Sequence, residues 1–140
     1  MNITIAVQIN AKLETVWSCW TTPEDIIKWN TPSDDWHTPH ATNDLKENGR
    51  FNYRMEAKNG SMGFNFEGTF TKIIPLSQME YVLDDGRQVT ITFSKIGNKI
   101  EIKETFEPET INDVELQRKG WLAILNNFKM YVEHNKQKRS

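Results

Sequence analysis

Between Phe51 and Phe106 apolar side chains fall on every second position, in run after run, and each run ends at a turn signal. Phe51, Tyr53 and Met55 alternate with Asn52, Arg54 and Glu56, and Asn59-Gly60 then predicts a type I′ hairpin turn. Met62, Phe64, Phe66 and Phe70 share one phase, closed by Pro75. Met79, Tyr81 and Leu83 end at Asp84-Asp85-Gly86; Val89, Ile91 and Phe93 end at Gly97-Asn98; Ile100, Ile102, Glu104 and Phe106 end at Pro108. Period two places one face of each strand in a core, and consecutive hairpins make the sheet antiparallel.

The flanks have a different period. Ile3, Ile5, Val7 and Ile9 form a first strand, after which Asn10 offers an N-cap and Leu13, Val16, Trp17 and Trp20 recur at helical spacing. Thr22-Pro23-Glu24-Asp25 reads as a hydroxyl cap, a proline at the first helical position and acids in the first turn of a second short helix, with Ile26, Ile27 and Trp29 as its apolar side. Pro32 and Pro39 weaken the pattern that follows, so Trp36–Leu45 reads as an irregular or edge strand, available for pairing with a second copy. From about Asn112 to about Asn135 a long helix carries Val114, Trp121, Leu125, Phe128 and Val132 on one stripe, widened by Ile124 and Tyr131. Gly120 costs that helix ~1 kcal/mol relative to alanine, which predicts close approach to the sheet as its benefit.

Strand, two short helices, about six strands and a long helix define an α+β chain in one domain, residues 1–140. A twisted antiparallel sheet of six to seven strands curls around the only helix long enough to cover its apolar face. Such a grip leaves room between sheet and helix, with the short helices at one mouth. At 140 residues the chain can bury roughly two-thirds of its unfolded surface. Five Trp, three Tyr and seven Phe supply much of that area, since each buried ring removes ~150–250 Å² from water.

Charge and cysteine usage exclude several functions. A net charge of −2 argues against nucleic acid and anionic membranes as partners, and the basic end Lys136, Lys138 and Arg139 reads as a solvated helix terminus. One cysteine, Cys19, precludes an intrachain disulfide. The alternating N-terminus lacks a signal-peptide apolar run, and no stretch approaches the ~18–20 apolar residues of a membrane span, so a cytoplasmic location is expected.

Five segments carry a family resemblance: INAKLETVWSCWTTPEDIIKWN, DLKENGRFNYRMEAKNGSMGFNFEGTFTKI, YVLDDGRQVTITF, ETFEPE and QRKGWLAILNNFKMYVE. Together they resemble the bacterial homologues of the activator of the 90-kDa heat-shock chaperone ATPase, within the START-like (SRPBCC) helix-grip superfamily that includes polyketide cyclases and the birch-pollen allergen type. Gly49–Gly68 and the GWxxxLxxF run from Gly120 are the most specific parts. The resemblance implies a helix-grip fold and an apolar cavity but no shared chemistry, because the superfamily spans binders, carriers, cyclases and co-chaperones. The family often has a second glycine where Asn48 stands, which makes this turn stiffer. In the eukaryotic relatives the domain is joined to an additional N-terminal domain; this chain begins at the first strand, which predicts no robust ATPase activation on its own.

Candidate chemistry is sparse. His37 and His40, downstream of Asp34 and Asp35, lack a third ligand fixed by spacing, so metal binding is not expected. Cys19 has no CxxC companion and reads as a half-buried, inert thiol. No serine stands in a G-x-S-x-G elbow, and Gly60, Gly63 and Gly68 precede no helix that would bind phosphate. Arg54 and Glu67 occupy polar phases and read as a cross-strand surface ion pair. Glu104 shares the inward phase of Ile100, Ile102 and Phe106. Its favoured reading is a carboxylate at the sheet rim or turned outward at a bulge; the alternative is an inward carboxyl, hydrogen-bonded by Tyr53 or Tyr81, serving as a polar anchor or a general acid or base.

Trp29, Trp36, Phe51, Tyr53, Phe64, Phe66, Tyr81, Phe93, Glu104, Trp121, Leu125 and Phe128 are the residues expected to converge between sheet and helix and to contact a ligand, although many rings in that set simply fill the core. Three functions compete: a non-enzymatic binder of a small hydrophobic or aromatic molecule, ranked first; a co-chaperone-like partner of the heat-shock chaperone; and a cyclase- or hydrolase-type enzyme using Glu104. A stress-response role is compatible with each. No cofactor is expected.

Overall fold

A computed structural model describes residues 1–139, with side chains described through Asn135; the basic end Lys136, Lys138 and Arg139 therefore lies, as side chains, outside the described residues. Seven strands form one sheet: β1 (Ile3–Ile9), β2 (Trp36–Asn43), β3 (Arg50–Ala57), β4 (Gly63–Ile74), β5 (Gln78–Leu83), β6 (Gln88–Ile96) and β7 (Lys99–Phe106). Its order is β1-β7-β6-β5-β4-β3-β2, and every pairing is antiparallel. Helices α1 (Leu13–Thr21) and α2 (Pro23–Trp29) follow β1, and α3 (Val114–Arg139) closes the chain. This is the α+β helix-grip architecture that the period-two and period-3.6 segments predict.

The alternation decides the inward face. Met79, Tyr81, Leu83, Val89, Ile91, Phe93, Ile100, Ile102, Glu104 and Phe106 are all buried, while the residues between them are half-buried or exposed. β4 needs a correction to its phase: the register slips between Phe70 and Lys72, so a bulge at Thr71 lets both Phe70 and Ile73 oppose inward residues of β5, Tyr81 and Met79. β2 is an edge strand and carries its own slip between His37 and His40.

Several local expectations change. The turn after β3 is not type I′, because only Gly60, at φ 78°, lies in the left-handed region, and type I′ requires both central residues there. Lys58–Met62 instead form a wider connection, in which the Asn59 carboxamide oxygen accepts from the Ser61 amide. Lys12 rather than Asn10 is the N-cap of α1, and the Asn10 amide donates to Glu133 Oε2 at 2.8 Å. Thr22 caps α2 through its backbone carbonyl, which accepts from Asp25 and Ile26, and not through its hydroxyl; Pro23 does occupy the first turn. At α3, Asp113 Oδ2 accepts from the amides of Glu115 and Leu116, and the helix runs past Asn135 to Arg139. Arg54 pairs along its own strand with Glu56 at 2.8 Å and stands opposite Asn65, while Glu67 stands opposite Asn52, so the expected pair with Glu67 is not among the described ion pairs.

Two backbone positions are tightly constrained. Asn48 has φ 70°, a left-handed conformation that glycine adopts freely and asparagine tolerates. Gly68 lies so close to β5 that an added Cβ would stand 2.3 Å from the Val82 carbonyl oxygen. Only hydrogen fits.

Helix α3 packs against β1, α1 and α2. Leu125, Phe128 and Val132 are fully buried in that contact. The β3–β5 half of the curled sheet consequently faces the N-terminal part of α3 across open space.

Candidate functional site

That space is a cavity of about 510 Å³. Its floor comes from inward positions of β3, β4 and β5: Phe51, Tyr53 and Met55; Phe64, Phe66 and Phe70; Met79 and Tyr81. Trp20, Trp29 and Asn30 form a wall contributed by the short helices, Trp36 enters from β2, and Gly120, Trp121 and Ile124 form the roof. The rings brace one another. Phe51 touches Tyr53, Phe66, Phe70 and Tyr81 at centroid distances of 4.8–6.0 Å, and Trp121 stacks on Phe106 at 3.9 Å with the planes 7° apart. Rigid rings braced in this way cannot collapse into the gap as flexible aliphatics would.

Gly120 does not bring α3 close to the sheet. A Cβ built there meets nothing within 4 Å, so the glycine enlarges the cavity instead. Gly120→Ala therefore gains helix propensity without a clash, and thermal unfolding is expected to show stabilisation of up to ~1 kcal/mol. A destabilised variant would contradict the open roof.

Glu104 is the polar feature of the floor. It is 5% exposed and lines the cavity, flanked across the sheet by Ile5 on β1 and Ile91 on β6. No bulge turns it outward, which overturns the favoured rim reading; strict alternation holds. Burial among apolar neighbours disfavours its ionised form and pushes its pKa up to about 8. Neither tyrosine hydroxyl donates to it among the described hydrogen bonds. Burial also raises Tyr53 to about 12 and Tyr81 well above the usual phenol range, the latter helped by the Glu104 carboxylate.

The polar rim lies where β7 passes into α3. Gln117 Nε2 donates to the carbonyls of Glu109 and Asn112, and its Oε1 accepts from the Glu109 amide. Arg87, from the β5–β6 turn, also lines the cavity, its charge held by Asp85 at 2.9 Å. The exposed lining residues Phe64 and Asn112 mark where the space reaches solvent.

Nine of the twelve residues expected at the site line this cavity: Trp29, Trp36, Phe51, Tyr53, Phe64, Phe66, Tyr81, Glu104 and Trp121. Phe93, Leu125 and Phe128 do not. They are buried in the solid core, Phe93 against Trp17 and Trp20, and Phe128 against Trp20 and Trp29. Sequence reasoning missed Met55, Phe70 and Met79, although their strand phases identify them as inward. It also missed Trp20, and it had no signal for Arg87, Glu109, Asn112 and Gln117, which sit in or beside connections without periodicity.

Elsewhere, Cys19 is fully buried rather than half-buried. Among the described residues, no three His, Cys, Asp or Glu side chains come together as a metal site, and His37 faces Glu56 at 3.7 Å. No described helix is long and apolar enough to cross a membrane.

The model for the family described as Activator of Hsp90 ATPase homolog 1-like protein matches residues 10–133. Among solved structures, an AHSA1-like protein from Aeromonas hydrophila is 42% identical, with a TM-score of 0.89 over 96% of this chain and 93% of that one. A protein from Cytophaga hutchinsonii is 46% identical, with a TM-score of 0.84 over the same shares of the two chains. The Aha1 dimer from Colwellia psychrerythraea, 17% identical with a TM-score of 0.75 over 95% of this chain and 96% of that one, shares the fold alone. No curated protein matches the sequence. With 124 consecutive residues under the family model and two structural relatives above 40% identity, the chain belongs to the Activator of Hsp90 ATPase homolog 1-like family, on a START-like fold.

Proposed function

We propose that this protein binds a small hydrophobic or aromatic molecule between its sheet and α3, without transforming it. The observation that supports this is the cavity of about 510 Å³, walled by rings from four strands and three helices and carrying few polar groups. Small-molecule sites are typically ~300–1,000 Å³, mostly apolar, with a small number of polar groups fixing orientation. A solid core would have closed over these rings. This one leaves room.

Native mass spectrometry of protein purified from its own cells, followed by thermal unfolding with the released molecule added back, tests the reading. A co-purifying small molecule that raises Tm in wild type, and not in Gly120→Phe, is the expected result. A bare chain whose Tm no hydrophobic molecule moves would sink it.

A second reading has one observation in its favour, the family itself, whose description names a chaperone ATPase activator. Partnership with the 90-kDa heat-shock chaperone predicts that adding this protein changes the chaperone's ATPase rate. Catalysis through Glu104, the third reading, predicts turnover that Glu104→Gln abolishes.

A further inference from the structure

We propose that the guest is an amphiphilic amine: an aromatic or alicyclic body held by the ring cluster, with its ammonium placed against the Glu104 carboxylate. This inference rests on the guest-binding reading above and gives its site a chemical class.

Three observations carry it. First, Glu104 is 5% exposed, lines the cavity and has only Ile5 and Ile91 as its cross-strand neighbours, so no cation of the protein serves it among the described ion pairs. A buried carboxyl in that position stays neutral because its ionised form has no partner, and a cationic guest supplies that partner. Second, Tyr53, Phe66, Tyr81 and Trp121 line the same cavity, Tyr81 close enough to feel the Glu104 charge, and ring faces attract ammonium groups. Third, the remaining charge on the lining does not favour an anion. The titratable or charged lining groups besides Glu104 are Tyr53 on β3, Tyr81 on β5, Arg87 in the β5–β6 turn and Glu109 beyond β7. Arg87 is already compensated by Asp85, and Glu109 adds negative charge at the rim. The lining contributions of β2, β4 and the three helices are uncharged.

The raised pKa of Glu104 gives the proposal a proton signature. Free protein at pH 7 holds the carboxyl protonated; seating an ammonium beside it releases that proton, so amine affinity rises with pH until Glu104 is ionised without help, at about 8. The guest itself stays charged up to pH ~10, the usual range of an alkyl ammonium.

Isothermal titration with 2-(1-naphthyl)ethylamine, 2-(1-naphthyl)ethanol and 1-naphthylacetate, which share one ring system, reads this directly. The amine is expected to bind at least ~10-fold tighter than the alcohol at pH 9, with the acetate weakest. Below pH 8 the amine's affinity is expected to fall ~10-fold per pH unit while the alcohol's stays level. At pH 7 the amine's heat should vary with the ionisation heat of the buffer, by close to one proton released. Glu104→Gln should erase the amine's advantage over the alcohol, and the wild-type pH profile is an independent readout of the same contact. Alcohol or acetate binding as tightly as the amine at pH 9, or an amine advantage that is independent of pH, overturns the amine assignment and leaves the guest-binding reading in place. Failure of all three to bind overturns the amine assignment, while the guest-binding reading itself falls with a bare chain in native mass spectrometry.

Discussion

Replacing Glu104 by glutamine is expected to make the protein more stable at pH 9 by several kcal/mol and to remove much of the pH dependence of its stability. Glutamine keeps the shape of a protonated glutamic acid and cannot ionise. In the unfolded chain Glu104 titrates near 4.5; in the folded protein burial raises it to about 8. The folded state therefore holds the proton more tightly, and stability falls as pH rises between those values. Below about 4.5 both states are protonated and the two variants should match. Between 4.5 and 8 wild type progressively loses stability relative to Glu104→Gln, and above 8 the gap is constant. A separation of that size is worth on the order of 5 kcal/mol, at ~1.4 kcal/mol per pKa unit. Other carboxylates with shifted values, Glu56 beside Arg54 and Asp84 beside Arg50, are common to both variants and cancel in the difference. Urea unfolding at pH 5, 7 and 9 measures it. Parallel curves for the two proteins would mean that Glu104 is solvated in the folded state.

Phe128→Ala is expected to cost about 3–5 kcal/mol, the usual range for emptying a fully buried phenylalanine site. Phe128 has no exposed surface, and its ring lies edge-on to both Trp20 and Trp29 at 4.8 Å. Those two indoles stack at 4.9 Å, so one side chain of α3 locks both short helices to the long one. Removing it opens a void beside rings too rigid to fill it. Denaturant unfolding should show a large fall in midpoint, and thermal unfolding a fall in Tm on the order of 10 °C. Met130→Ala, at a position 67% exposed on the same helix, should stay within ~0.5 kcal/mol of wild type. A Phe128→Ala cost as small as that of Met130→Ala would show that α3 does not grip the sheet through this stripe.

The fold was legible because nearly every strand repeats a strict two-residue alternation and nearly every connection holds a glycine or proline. Where the sequence misled, the cause is local and physical. Asn59-Gly60 has the composition of a tight hairpin, yet the Asn59 side chain accepts from the Ser61 amide and holds a wider connection that uses only Gly60's conformational freedom. Periodicity also cannot reveal a bulge. The slip after Phe70 rephases the end of β4, and it became visible only through the partner strand.

The site was legible in part, for a reason that Phe66 and Phe93 illustrate. Both are inward-facing aromatics on strands, and no one-dimensional pattern distinguishes them. Whether an inward ring borders a cavity or a packed core depends on what stands opposite. Phe93 meets Trp17 and Trp20, whereas Phe66 faces the part of α3 where Gly120 leaves space. At Gly120 the sequence points to close approach and the structure has open space, because a helical glycine permits either contact or emptiness. The phase of Glu104 points inward, as the structure has it, against the favoured rim reading. The general cost of burying a carboxylate weighed against that phase, and that weighting is what the structure reverses.

The distribution of the five tryptophans provides the most direct test of the central claim. Trp20, Trp29, Trp36 and Trp121 line the cavity, whereas Trp17 packs against Phe93 outside it. In a titration with 2-(1-naphthyl)ethanol followed by the indole N–H resonances in a ¹H–¹⁵N spectrum, the ring current of a seated guest should displace the four lining signals, Trp121 most, and leave Trp17 nearly still. Unmoved lining indoles at saturating alcohol, or a Trp17 signal that moves as far as theirs, would contradict a guest held between sheet and helix.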